Sequence, residues 1–327
     1  AGSIGSVAVP DHEAFLSDVA FTMPPPALAT AVGILVSRGE KVVAPGADPT
    51  LHPLLVPLTM REEDGEVTGL LRWPGAGGGG TKLPVVRTYA SGRQLELLAD
   101  CTEDFVKTAA VMADVDGNSN AAELAALAKQ ATGLDYALGD AAASPGGPPG
   151  YLITKVGQSL SAYKALAKGH QERGSMDSAL ITCERTQRSF QAWGHPYAFH
   201  SRMLAAADRA EESRDLARHA LGLPLWTLGD DLVKICGMAN TSPGELAAKL
   251  REKASGKLSE EELRMQNGME SRTPQEIAKD RASYLLDLVV ACPDEYESWE
   301  AVRGELAGLY REAGMETIAT FVQGSSA

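Results

Sequence analysis

The second half of the chain carries a helical hydrophobic pattern that restarts at a fixed interval. From residue 155 onward, apolar residues recur every three or four positions, and Gly174 interrupts the pattern as a turn would. Shifting the sequence by 34 residues brings Tyr163 onto Tyr197. A helix–turn–helix unit that repeats at this interval buries its apolar face against its neighbours. The pattern therefore predicts stacked helical hairpins.

The first unit, residues 161–191, resembles the tetratricopeptide repeat family. The residues that match the family pattern are Tyr163, the pair Leu166-Ala167, Gly174 and Ala179. A second unit departs from the pattern, because Asp208 stands where the family has its turn glycine. The same offsets return near the end of the chain, with Gly314 at the turn. The resemblance implies an all-α module of helical hairpins.

Four short apolar runs separated by turn residues precede this module. They cover residues 54–60, 67–73, 83–89 and 93–99. Asp64-Gly65 between the first two runs is typical of a hairpin turn. Pro57 and Pro84 are expected at strand edges or strand starts, because proline cannot donate a ladder hydrogen bond. Helices are expected before and after these runs, one ending at Gly39 and one ending at Gly133.

We therefore predict an α+β protein: a small antiparallel β-meander with helices at the N-terminus, followed by an all-α, tetratricopeptide-like module. The predicted parts are an extended arm (1–25), an α+β domain (26–140), a Gly/Pro linker (141–152) and the helical domain (153–327). The linker is inferred from the sequence at 141–150, Ala-Ala-Ala-Ser-Pro-Gly-Gly-Pro-Pro-Gly.

Three helix starts are marked by capping boxes, in which a hydroxyl residue is followed three positions later by glutamate. The three pairs are Ser242 with Glu245, Ser259 with Glu262, and Thr273 with Glu276. The helix predicted over 274–290 is the most apolar in this half, so we expect it at the centre of the C-terminal core.

The composition excludes several classes of protein. A net charge of −13 argues against a nucleic-acid binder, an RNA-binding helical array included, because neutralising phosphates requires clustered Lys and Arg. The longest apolar stretch near the N-terminus, residues 27–36, is too short to span a membrane. The four cysteines are far apart and are expected to be reduced and mostly buried.

No pattern in the sequence predicts a metal or a cofactor. Asp114, Asp116, Asn118 and Asn120 alternate as calcium ligands do, but the glycine and glutamate positions of an EF-hand loop do not match, which favours a helix-capping loop. Gly77–Gly80 lacks the Gly-Lys-Ser/Thr and the helix of a phosphate-binding loop, so we expect a hairpin loop there.

Five residues are candidates for contacting a partner protein: Trp193, His195, Tyr197, Arg214 and Arg218. The aromatic residues flank the second helical unit, and the two arginines lie in a run of charges on one helix. Two other interpretations stay open: the aromatic residues are core between repeats, and the charges form a solvated helix face.

Five segments resemble uncharacterised plastid proteins of plants and algae. They are HPLLVPL at 52–58, VTGLLRWP at 67–74, LPVVR at 83–87, YLLDLV at 284–289 and LYREAG at 309–314. The resemblance implies a chloroplast protein, soluble or peripheral, that is made with a transit peptide. The chain begins with Ala1 and not with Met, as expected of a processed or tagged chain.

From these patterns we predict a non-catalytic scaffold, assembly factor or accessory subunit of a large organellar complex, with other proteins as its partners. The alternative is an enzyme or small-ligand protein with its site in the N-terminal α+β domain. A polar cleft lined by the strands at 54–60 and 67–73 would favour the alternative, and a filled meander would argue against it.

Overall fold

The computed structural model describes residues 5–74, 83–90, 92–256 and 272–324. The strands are β1 Lys41–Val42, β2 Leu55–Arg61, β3 Glu66–Leu71, β4 Val85–Tyr89 and β5 Glu96–Ala99. The helices before residue 158 are α1 Pro10–Asp18, α2 Leu28–Ser37, α3 Thr102–Val115, α4 Ala121–Thr132, α5 Asp140–Ala143 and α6 Gly147–Tyr151, followed by a π-helical turn, Leu152–Val156.

The later helices are α7 Leu160–Glu172, α8 Met176–Ser189, α9 Gly194–Ala206, α10 Ala210–Leu221, α11 Leu232–Met238, α12 Pro243–Ala254, α13 Pro274–Ala291, α14 Glu300–Glu312 and α15 Glu316–Gln323, with a 3₁₀ turn at Leu225–Thr227. The loop predicted at Gly77–Gly80 and the capping box predicted for Ser259 and Glu262 lie outside the described residues. The other two capping boxes, at the starts of α12 and α13, are confirmed.

The five strands form one antiparallel sheet in the order β1-β2-β3-β4-β5, so the predicted meander is confirmed with one short strand added. Every residue of β3 is buried, which shows that both faces of the sheet are covered there. Pro57 lies beyond the residues that pair with β1 and beside a shift in register, and Pro84 directly precedes β4. Both prolines therefore avoid the ladder positions that need an N–H.

The helical half contains three hairpins, α7–α8, α9–α10 and α14–α15. Leu160 and Gly194 begin α7 and α9, and Met176 and Ala210 begin α8 and α10. Both pairs of helix starts are 34 positions apart, the interval that the sequence predicts. Since α8 also packs against α9, the first two hairpins are stacked. The predicted α+β class, with a helical second half, is thereby confirmed.

The turns of the three hairpins share one backbone conformation. Gly174, Asp208 and Gly314 have φ angles of 76°, 58° and 72°, in the left-handed region. In the first hairpin the N–H of Ser175 bonds to the carbonyl of His170, closing the helix end as a glycine-type C-cap does. The equivalent bonds are present in the other two turns. The second unit therefore keeps the turn although it lacks the glycine.

The predicted extended arm at 1–25 is wrong for its middle part, because α1 lies there. Pro10 begins this helix, where its missing N–H costs nothing, and two acidic residues follow in the first turn. Leu16 is fully buried in the main core. The helix is short and has few apolar residues, so its pattern gave no helical signal.

The predicted linker at 141–152 is also wrong in its structure, since α5, α6 and the π-helical turn occupy it. Gly146 and Gly147 supply left-handed turn conformations, and Pro148 and Pro149 then stand in the first turn of α6. Ala141 is fully buried. One hydrophobic core runs from Val9 to Val322, so this segment does not separate two cores.

The four tryptophans and His52 form one connected cluster of ring contacts, which we call the tryptophan junction. Trp73 follows β3, Trp193 precedes α9, Trp226 lies in the 3₁₀ turn and Trp299 precedes α14. The Trp226 ring lies 4.8 Å from that of Trp73 and 6.4 Å from that of Trp193. These edge-on contacts are favourable for aromatic rings. The junction thus joins the sheet, the stacked hairpins and the last hairpin.

His52 links Trp299 to the rest of the junction, with its ring 4.7 Å from Trp226 and 4.4 Å from Trp299. Its Nδ1 accepts a hydrogen bond from the N–H of Leu54, which places the proton on Nε2. Burial, with the charge of Arg303 as a smaller cause, lowers the pKa of His52 to about 3. The imidazole is therefore neutral and acts as an aromatic core residue.

Two arginines tie the C-terminal helices to loops of the N-terminal part. The Arg93 guanidinium donates to the carbonyl of Tyr296 at 2.6 Å, ahead of α14. Arg303 on α14 donates to the carbonyls of Pro49 and Leu51, at 2.8 and 2.9 Å. These donors satisfy backbone acceptors of loops that no strand or helix pairs.

Asp287 of α13 supports the 3₁₀ turn that carries Trp226. Its Oδ1 accepts the N–H of Leu225 at 2.6 Å. Burial raises the pKa of this carboxyl to about 8, with the hydrogen bond from Leu225 opposing the shift. In the folded protein the side chain is therefore protonated at neutral pH, and this avoids a buried charge.

We expect Asp208→Gly to stabilise the protein by about 0.5–1 kcal/mol, because glycine adopts the left-handed conformation without the cost of a Cβ atom. The reciprocal change, Gly174→Asp, should destabilise by a similar amount; a Cβ at Gly174 would meet no atom within 4 Å, so this effect is conformational. Urea unfolding of both variants measures the difference. A loss of stability in Asp208→Gly would show that the left-handed backbone conformation of Asp208 is not strained.

We expect Asp287→Asn to gain stability over the wild type as the pH rises. The folded pKa of Asp287, about 8, lies above the ordinary 3.8. The protonated Asp287 therefore makes its full contribution to the free energy of unfolding of the wild type below about pH 4. Between about pH 4 and about pH 8 this contribution falls by up to about 1.4 kcal/mol per pH unit. Asparagine keeps the acceptor for Leu225 and does not titrate.

Urea unfolding of both proteins at pH 5, 6.5 and 8 measures this difference, and the other titrating groups cancel in the comparison. Asp287→Ala, which removes the acceptor, is the control and should be destabilised relative to Asp287→Asn at all three values. Parallel pH profiles for the wild type and Asp287→Asn would show that Asp287 is ionised in the fold.

Candidate functional site

The two aromatic candidates nearest the start of α9 are core residues. Trp193 is 6% exposed and meets Trp73 edge to face, with 5.7 Å between ring centroids. His195 is buried, and its Nδ1 lies 3.1 Å from the carbonyl of Leu228, to which an Nδ1–H donates. The sequence shows only an aromatic residue before a Gly-His-Pro turn, which does not tell an exposed loop from a buried one.

Burial, with Lys164 as a smaller cause, lowers the pKa of His195 to about 4, so the ring is neutral. Its Nε2 is shielded from solvent and has no hydrogen-bond partner among the described residues. A pocket of about 210 Å³ lies beside it, lined in part by Lys164 and Gly229. No described group next to this ring pairs with it as a nucleophile would, so we assign it to the core.

The remaining three candidates lie along α9 and α10. Tyr197 contacts the ring of His219 at 4.5 Å, and Arg214 faces Glu211 at a separation of 4.0 Å. Arg218 pairs with Asp215 at 3.7 Å and donates from Nε to a backbone carbonyl of the α11–α12 turn. Of the five candidates, His195 lines the pocket of about 210 Å³, and Arg218 lines a larger pocket together with the exposed Lys249 and Lys253.

That pocket, of about 560 Å³, lies between the end of α10, the α11–α12 turn, α12 and α13. We call it the α12 groove. Its apolar surface is formed by Leu221, Leu246, Leu250 and Tyr284. Its cationic edge is formed by Arg218, Lys249 and Lys253. The groove thus offers an apolar surface beside three positive charges.

The two carboxyl groups that line the groove accept hydrogen bonds from the protein itself. Glu245 accepts the N–H of Ser242 at 2.8 Å and the hydroxyl of Thr241 at 3.0 Å. These bonds to the helix start, led by the N–H of Ser242, lower the pKa of Glu245. Asp287, the other carboxyl, is protonated as described above. The cations of the groove are therefore not balanced by equal negative charge.

The candidates predicted from the sequence did not include the two lysines of α12, although their spacing is a signal that could have found them. Lys249 and Lys253 stand four residues apart on one helix face, where like charges repel by a few tenths of a kcal/mol. Neither lies within 4 Å of a carboxylate in the described part of the chain, although the charge of Lys249 helps to lower the pKa of Glu245. The Lys253 ammonium lies 5.3 Å from the centre of the Tyr284 ring. An unfavourable pair on an exposed face is a candidate for function.

A second cleft, of about 580 Å³, lies between α3 and the strands β3 to β5. It is polar, and two of the carboxylates that line it, Glu66 and Glu96, pair with arginines. Glu66 lies 2.7 Å from Arg61 and 3.3 Å from Arg87, and Arg87 also pairs with Glu96 at 2.7 Å. The enzyme alternative expects a polar cleft lined by both β2 and β3. This cleft is lined by β3, and no residue of β2 lines it.

The thiols and acidic groups elsewhere give no reactive site among the described residues. Cys183, Cys236 and Cys292 are buried and Cys101 is partly buried, and all four are free, as predicted. Burial raises the pKa of Cys101 to about 11. Asp114, in the last turn of α3, accepts the hydroxyl of Tyr136 and the N–H of Gly139. Asn120 precedes α4 without a side-chain cap hydrogen bond, so the expected helix-capping role is not found there. No described group of three His, Cys, Asp or Glu side chains could hold a metal ion.

Within the described ranges, no helix combines the length and the apolar character that crossing a bilayer requires. The comparisons with known proteins cover nearly the whole chain. Residues 10–155 match the model described as PAB N-terminal, residues 160–242 the PAB middle domain, and residues 248–326 the PAB C-terminal domain. The α12 groove lies where the second and third of these meet.

The chain is 31% identical over 314 residues to the Arabidopsis thaliana "Protein IN CHLOROPLAST ATPASE BIOGENESIS, chloroplastic". The match covers 95% of this chain and 90% of the Arabidopsis protein. The 34-residue spacing of the hairpins is a property of the structure, whereas membership of the tetratricopeptide repeat family stays a prediction. On the similarity to the Arabidopsis protein and the three domain models in series, the chain belongs to the PAB family.

Proposed function

We propose that the chain is a non-catalytic chloroplast protein that takes part in the biogenesis of the chloroplast ATPase by holding one of its subunits before assembly. The proposal is supported by similarity to the Arabidopsis protein over all three PAB domains. The name of that protein states biogenesis of the chloroplast ATPase, and its chloroplast location is the source of the location proposed here.

The observation that carries the proposal is the α12 groove. Its apolar surface and unbalanced cations can hold another protein, but it contains no nucleophile paired with a base. The histidines at the centre of the fold are buried and neutral, so they stabilise the core. A binding role fits these groups better than a catalytic role.

The helical hairpins supply the second support. α7–α8 and α9–α10 stack at the interval of tetratricopeptide repeats, and arrays of that kind present extended faces to other proteins. The tryptophan junction fixes these hairpins to the sheet. We propose that the sheet domain acts as a rigid support and that the hairpins and the α12 groove contact the subunit.

A second candidate function, binding of a small ligand, is favoured by one observation. Arg38 faces the cleft beside α3 without an ion pair among the described residues, and burial lowers its pKa. An anionic ligand would bind Arg38 in competition with Glu40 and Asp116, the carboxylates of the same cleft that interact with it. If this function holds, Arg38→Ala should abolish a ligand-dependent rise in melting temperature while leaving subunit binding unchanged.

For the main proposal, we expect disruption of the gene in the source organism to lower the amount of assembled chloroplast ATPase several-fold. The loss should be confined to this complex, because a protein that binds one ATPase subunit affects the assembly of the ATPase and of no other complex. Quantitative mass spectrometry of thylakoid complexes measures the change, with the photosystems as internal controls. Re-expression of the wild-type chain should restore the ATPase. Normal ATPase amounts in the disrupted line would contradict the proposal.

A further inference from the structure

We propose that the α12 groove is the docking site for an acidic, amphipathic segment of the partner subunit, with apolar side chains on one face and carboxylates beside them. This inference rests on the proposed function and specifies the chemistry of the segment that is held. Charge complementarity and the apolar surface of the groove are its two grounds.

The apolar surface calls for apolar side chains. Leu246 and Leu250 are one turn apart on α12 and mostly buried by their own fold, and the half-buried Leu221 and Tyr284 widen the surface beside them. A volume of about 560 Å³ holds several side chains, since a drug-sized ligand occupies a pocket of about 300–1,000 Å³. One face of an amphipathic helix or strand fits this space.

The cations call for carboxylates. Lys249 and Lys253 are exposed, and neither lies within 4 Å of a carboxylate in the described part of the chain; Glu245 attracts Lys249 from farther away. Arg218 donates from Nε to the carbonyl of Ala239, and its ion pair with the exposed Asp215 at 3.7 Å contributes little. A carboxylate beside the groove would relieve the repulsion between the two lysines and gain a pair partly shielded by the apolar surface.

The three cations of the groove contrast with the negative charge of the whole chain. With a net charge of −13, the protein as a whole repels acidic partners at long range. Three cations in one groove then act only at close range, within about a Debye length of 8 Å at physiological salt. They therefore select a partner by its charge pattern at the contact rather than by its total charge.

A nucleic acid does not fit this groove as well. Phosphate neutralisation needs many cations along the path of a strand, and the surrounding charge is negative. A second copy of this chain could bring its own acidic residues to the groove, and the experiment separates that case by measuring mass.

The test compares two charge-reversed proteins of equal net charge. Lys249→Glu with Lys253→Glu alters the groove. Lys155→Glu with Lys168→Glu is the matched control, because both residues are exposed and lie outside the three pockets described above. All four lysines are exposed, so circular dichroism and melting temperature should stay at the wild-type values for both variants.

The probes are the separately purified subunits of the chloroplast ATPase, followed by overlapping 20-residue peptides of the subunit that binds. We expect the groove variant to lose affinity at least tenfold and the control variant less than twofold, by calorimetry or fluorescence anisotropy. Bound peptides should combine carboxylates with apolar residues. Replacing those carboxylates by lysine should restore binding to the groove variant.

The outcomes separate the two proposals. If the wild type binds a subunit and the groove variant binds it equally well, the groove is not the docking site, and the proposed function stands. If the wild type binds no subunit, both proposals fail. A dimer of the wild type by light scattering that dissociates in the groove variant would identify a second copy as the occupant and would overturn the acidic partner segment.

Discussion

The contact of His52 with the tryptophans is the interaction on which the rest of the structure depends. The ring lies 4.4 and 4.7 Å from two tryptophans that belong to separate helical segments, and its own loop leads into the sheet. Burial and ring contacts of this size are worth several kcal/mol, but only while the imidazole is neutral. The lowered pKa of His52 makes the neutral form the stable one. One uncharged side chain thereby holds three parts of the chain in one core.

Hydrogen bonds fix the geometry around this apolar contact. Arg93 and Arg303 donate hydrogen bonds to backbone carbonyls of distant loops, and the protonated Asp287 accepts a hydrogen bond from the N–H of Leu225. Asp287 and Tyr284 lie on the same helix, so the junction and the α12 groove share one support. Leu246 and Leu250 of the groove belong to the main hydrophobic core, and Tyr284 packs against it. A preformed groove loses less entropy when a partner segment binds.

The predictions from sequence succeeded where a local rule decides the structure. The helix end at Gly133, the capping boxes at Ser242 and Thr273, and the 34-residue interval follow from capping and periodicity. They failed at 1–25 and 141–152, where few apolar residues or many glycines and prolines hide short helices that tertiary contacts stabilise. Of the candidate site residues, Arg218 lines the α12 groove, and its role there stays a prediction. Trp193 and His195 are buried, and their burial depends on which distant residues surround them.

The sequence by itself determined the α+β class, the meander, the hairpin spacing and the acidic charge, because each depends on neighbours within a few positions or on composition. The tertiary structure alone decided that the four tryptophans and His52 form one cluster, and that Lys249 and Lys253 face the same groove as Arg218. These residues are far apart in the chain, and no local pattern states which of them meet. Their meeting is set by burial of apolar surface over the whole molecule, which is a property of the complete fold.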